Sequence, residues 1–263
     1  MKAVTGVFAS PTDANRAVEA LRAKGVPTDK ITVLSPRHHQ KEAESIPVDT
    51  TEQPGIGKAI GAVVGGAGGF TGGSLLLAAV IPGVGPVTAL GLLGAAILGA
   101  AGATVGAAAG ESLENSMAKG LPEDEIFVYE DALRKGRTVV VAIADDDDAG
   151  EPLREVLTAQ GAESVDAARE QWWIGLRSSE REHYATSGKD FAGDEKFYRM
   201  GFEAALHAKM RCREFDQVSG EMNSSLEDVQ KQYPNVDVSD AFLAGYQRGR
   251  DYYQRVCDES KAA

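Results

Sequence analysis

Residues 59–110 contain no Asp, Glu, Lys or Arg, and 15 of the chain's 30 glycines fall there. Gly57, Gly61, Gly65, Gly69 and Gly73 follow one another at intervals of four. Gly91, Ala95, Gly99, Ala103 and Ala107 repeat that interval, with Gly102, Gly106 and Gly110 on a neighbouring row. Residues four apart share one face of a helix, so each stretch would present a face almost without side chains. Two such faces allow the close backbone approach of small-xxx-small packing. Between them lies Pro82-Gly83-Val84-Gly85-Pro86, which must turn. The pattern predicts a helical hairpin over 57–110, with Pro82, Gly83, Gly85 and Pro86 at its turn. Gly57, Gly61, Gly65, Gly69, Gly73, Gly91, Ala95, Gly99, Ala103, Gly106 and Gly110 would then be its packing and oligomerisation positions.

The uncharged arms, 59–81 and 87–110, hold 23 and 24 residues. At ~1.5 Å per residue each would span about 35 Å, against ~30 Å for a hydrocarbon core. Seven glycines in the first arm would destabilise a lone helix in water, at roughly 1 kcal/mol each. Packing or removal of water from the backbone must offset that cost. The arms carry only nine and seven large aliphatic or Phe residues. Two readings follow: a hairpin in the membrane, or a soluble homo-oligomer whose hairpins bury one another.

On either side the pattern changes. Residues 2–9 alternate as a strand; Ser10-Pro11 opens a helix that Gly25 closes; KITVLSP is a second strand. Residues 37–56 read as a solvated loop. Residues 122–135 read as a helix closed by Gly136, TVVVAIAD (138–145) as a strand, EPLREVLTAQG as a helix and SVDAARE as a last short strand. Two β-α-β halves around an insertion give the element order of a ferredoxin-like split β-α-β fold, residues 1–36 and 122–170. Residues 2–9 and 138–145 should then share a sheet.

Asp145 to Asp148 are consecutive, whereas calcium loops space their ligands at alternating positions, so they read as a helix cap. His38 and His39 fit no metal-ligand spacing. No phosphate-cradling loop and no positioned catalytic triad appears. The expectation is therefore no enzyme, no catalytic residue, no cofactor, no metal and no small-molecule substrate. The net charge of −12, most of it between 111 and 170, argues against a nucleic-acid partner. Two cysteines form no disulfide framework, and no signal peptide precedes the fold.

Residues 171–193 read as a linker, in which Trp172 and Trp173 would either anchor at a membrane interface or pack on a core. Residues 194–258 read as a C-terminal three-helix module with an internal near-repeat. Tyr198, Gly201, Phe202 and Ala205 match Phe242, Gly245, Tyr246 and Gly249, so two helices could cross closely at their glycines. The aromatic and basic run YQRGRDYYQR reads as core plus solvated face. Cys212 and Cys257 lie at similar offsets after the paired glycines and read as reduced core thiols. The expected class is α+β: a ferredoxin-like domain interrupted by a glycine-zipper hairpin, followed by helices.

Residues 1–170 resemble the bacterial general-stress, or heat-induced stress, proteins. The resemblance rests on VTGVFASPTDANRAVEALRAKGV, on AAVIPGVGPV and on GLPEDEIFVYEDALRKGRTVVVAIADDD. It implies a small α/β domain interrupted by such a hairpin, a stress-response role and no catalytic residues. With the hairpin it gives a non-enzymatic protein that self-assembles, on the cytoplasmic face of the inner membrane with lipid as a partner, or in the cytoplasm.

Overall fold

The computed structural model describes residues 2–36, 76–81, 85–90, 123–211, 213 and 215–262. It is a mixed helix and sheet protein that divides into two units, Met1–Pro122 with Val128–Ala168, and Glu123–Phe127 with Arg169–Ala263.

The first unit opens with β1 (Lys2–Phe8), α1 (Pro11–Ala23) and β2 (Ile31–Pro36). Ser10 is the N-cap of α1: its Oγ accepts from the Asp13 N–H at 3.2 Å and donates to Asp13 Oδ2 at 2.8 Å. This closes one of the four backbone donors that a helix start leaves open. Gly25 ends the turn at φ 86°, where a side chain would be strained. Ser10→Ala is expected to cost about 1 kcal/mol, read as a lowered urea midpoint with unchanged slope. An unchanged midpoint would show that water replaces the cap.

Next come β3 (Leu76–Ile81) and β4 (Gly85–Leu90), then α2 (Ile126–Arg134), β5 (Thr138–Ala144), α3 (Asp147–Ala159) and β6 (Glu163–Ser164). The six strands run in the order β3-β4-β2-β5-β1-β6, every neighbour antiparallel. β1 pairs β5 from Lys2 opposite Ala144 to Phe8 opposite Thr138. β5 also pairs β2, and β6 pairs β1 through Gly6 and Val7. Pro36 stands opposite Val87, and Pro86 opposite Val80. Proline has no N–H for a ladder, but alternate antiparallel pairs exchange no bond. A single alternation along β4 accommodates both prolines.

All seven residues of β5 are buried. On one face α1 and α3 pack Ala14, Ala17, Val18, Leu21, Leu153 and Leu157 onto Val4, Phe8, Ile31, Val33, Val140 and Ala142. Each large side chain buried this way contributes about 1.5–3 kcal/mol. The other face meets α2, whose fully buried Tyr129 has its hydroxyl 2.9 Å from Thr5 Oγ1. Burial on both faces explains why TVVVAIA is an unbroken apolar run rather than an alternating one.

Three expectations need correction. The ends of the two uncharged arms, residues 76–81 and 87–90, are strands, and Gly85 and Pro86 open β4 instead of lying in the turn. A six-residue apolar run is too short for its periodicity to separate strand from helix. Pairing along the free side of β2 decides in favour of strand. Secondly, SVDAARE is not a strand beyond Ser164: α4 (Val165–Ala185) starts there, with Ser164 Oγ accepting from the Ala167 N–H at 3.2 Å. Thirdly, residues 171–185 are therefore helix and not linker.

The second unit holds the rest of α4, then α5 (Phe191–Ala205), α6 (Phe215–Gln232) and α7 (Ser239–Ala262). Ala205, Met210, Met222, Phe242 and Tyr246 form one apolar cluster; Phe197, Val238 and Ala241 form another. Asp190 caps α5, its carboxylate accepting from the Ala192 N–H at 3.1 Å.

Candidate functional site

The expected packing positions Gly57, Gly61, Gly65, Gly69, Gly73, Gly91, Ala95, Gly99, Ala103, Gly106 and Gly110 lie outside the described residues, as do Pro82 and Gly83. His38, His39 and Cys212 lie outside them too. Among the expected hairpin positions, the structure places only Gly85 and Pro86, in β4. Gly85 pairs with Ile81 in the antiparallel ladder of β3 and β4.

The densest assembly of polar and aromatic groups among the described residues is in the helical unit. It begins with the near-repeat. A Cβ built on Gly201 would lie 1.9 Å from the Phe242 carbonyl oxygen; one built on Gly245 would lie 1.8 Å from that of Tyr198. Each glycine thus faces the carbonyl of the other repeat's leading aromatic, so α5 and α7 cross with a local two-fold relation. At Gly249 the corresponding distance to the Phe202 carbonyl oxygen is 2.5 Å. The approach is between backbones, which no rotamer change can relieve.

Around the crossing, aromatic rings pack edge to face. Tyr198 meets Tyr184 at 5.0 Å and Phe191 at 5.5 Å between centroids; Trp173 meets Phe202 at 5.9 Å. Trp172 lies 4.8 Å from Phe127. Both tryptophans are buried, so within this unit they are core residues. Such pairs contribute about 0.5–1.5 kcal/mol beyond the area they bury.

Two carboxylates are drawn into this aromatic layer. Glu180, 2% exposed, accepts from the Tyr198 hydroxyl at 2.8 Å and from Arg248 Nε and Nη2 at 2.8 and 3.1 Å. Glu195 accepts from Trp173 Nε1 at 2.9 Å and from Arg177 Nε and Nη2 at 2.6 and 2.5 Å. All four carboxylate oxygens have a donor. The Arg177 hydrogen bond holds the Glu195 carboxyl below its ordinary range. Burial, then the bonds to Glu180 and Asp194, pushes the Tyr198 and Tyr184 hydroxyls above theirs. Chemically this is a set of fixed anions clamped by fixed donors. It fastens α4 to α5 and α7.

Tyr246 behaves differently. It is 2% exposed, yet its hydroxyl has no hydrogen-bond partner among the described residues. Tyr246→Phe removes an unpaired buried polar atom and is expected to leave stability unchanged or raised by up to ~1 kcal/mol. Tyr198→Phe removes a donor from buried Glu180 and is expected to cost about 1–3 kcal/mol. Urea unfolding of the two variants reads the contrast; equal losses in both would mean that Tyr246 has a partner after all.

Other candidates offer less. The acidic turn is partly paired: Asp145 pairs with Lys30 at 2.6 Å, Asp147 pairs with Lys2, and Asp146 caps α3 by accepting from the Ala149 N–H at 2.8 Å. No group of three His, Cys, Asp or Glu among the described residues is placed to hold a metal ion. No helix among them is long and apolar enough to cross a membrane. A depression lined by Ala192, Glu195, Lys196, Arg199, Met200 and Glu203 draws those residues from α5 alone.

The near-repeat was visible in the sequence as two matching sets of four residues. Glu180 and Arg248, 68 residues apart, carry no periodic or motif signal that would pair them. Trp173 and Glu195 are equally silent. Comparison of the chain with protein-family models, with curated proteins and with solved structures returns no match.

Proposed function

We propose that the protein is a non-enzymatic, self-assembling protein of the general-stress type, in which the glycine-rich stretches flanking β3 and β4 are the assembly element. The observation that carries this reading is the position of the β-hairpin. It comes from the middle of the uncharged segment and adds to the sheet through β4 on β2. The stretches on either side, 59–75 and 91–110, adjoin β3 and β4 in the chain, and in this reading they meet their counterparts in another copy. With 76–81 and 85–90 in the sheet, 59–75 and 91–110 leave 17 and 20 uncharged residues on either side. As helices they would measure about 26 and 30 Å. The first is short for a ~30 Å hydrocarbon core, which favours mutual burial of these stretches over a two-arm membrane hairpin.

Membrane association through 91–110, on the cytoplasmic face of the inner membrane, is the second reading, and the length of that stretch favours it. In both readings the sheet is a ferredoxin-like split β-α-β domain. The order β2-β5-β1-β6, antiparallel throughout, with α1 leading from β1 to β2 and α3 from β5 to β6, supports that assignment.

Fractionation without detergent followed by mass measurement tests the proposal. The expected result is a homo-oligomer in the soluble fraction, weakened by Gly65→Leu or Gly69→Leu by roughly 1–3 kcal/mol per contact, with both units still folded. Oligomers released only by detergent would establish the second reading. A monomer, or oligomerisation unchanged in both variants, would overturn the glycine-rich stretches as the assembly element.

A further inference from the structure

We draw no further inference here: the strongest candidate, Ile174 on α4, 52% exposed beside the uncovered Gly175, is one apolar side chain among Glu170, Gln171, Arg177 and Ser178, and nothing in the structure shows what covers it.

Discussion

Gly245→Ala is expected to destabilise the helical unit by at least ~3 kcal/mol, although alanine is the better helix former. The added Cβ would have to share space with the Tyr198 carbonyl oxygen, 1.8 Å away, and with the carbon behind it at 2.7 Å. Only separation of α5 from α7 can make room, and that separation loosens the Phe242 and Tyr246 packing above and below the crossing. Gly201→Ala should behave alike, because its Cβ meets the Phe242 carbonyl in the same way. Gly175 and Gly220 are the controls: both lie inside helices, and a Cβ at either meets nothing within 4 Å. Alanine there is expected to stabilise by about 0.5–1 kcal/mol. Trp172 and Trp173 are the chain's two tryptophans and both belong to this unit, so their fluorescence during urea unfolding reports on it alone. Equal effects at Gly245 and Gly175 would mean that the helices do not touch at the repeat.

Glu180→Ala is expected to cost about 3–5 kcal/mol, because it strands a guanidinium and a phenol that the carboxylate satisfied. Arg248 is 15% exposed at its side chain and Glu180 2%, so solvent screens the pair little. Arg248→Met should cost a similar amount by leaving the buried carboxylate with the Tyr198 hydroxyl as its remaining donor. Replacing both partners, Glu180→Leu with Arg248→Met, is expected to recover most of the loss, since a buried ion pair gains little over apolar packing of the same volume. Unfolding of Glu180→Leu, Arg248→Met and the double variant gives the coupling directly. A double variant as unstable as the sum of the singles would show that the two side chains do not act as a pair.

Local chemistry accounts for what could be read in advance. Ser10 before Pro11, Gly25 after the last turn of α1, and the aspartates 145–148, of which Asp146 is the cap of α3, are capping signals whose partners lie three residues or fewer away. The structure shows each in that place. Short apolar runs were less legible. LLAAVI satisfies a strand or part of a helix equally well, and its neighbours in an uncharged, small-residue segment pointed to helix. SVDAARE reads as strand beyond Ser164 because its alternation continues briefly, while Ser164 ends β6 and its hydroxyl caps α4. Gln171-Trp172-Trp173 reads as the start of a linker, while α4 runs through it to Ala185.

The amino-acid sequence by itself determined the two β-α-β halves, the caps, the tail of helices and the repeat whose glycines permit a backbone crossing. These depend on residues near one another or on matched periodicity, which chain chemistry expresses directly. Tertiary structure alone decided that residues 76–81 and 85–90 join the sheet, and that Glu180 meets Arg248 and Trp173 meets Glu195. In each case the free energy comes from a partner that sequence distance does not reveal: an open strand edge beside β2, or a buried charge seeking its counter-charge on another helix.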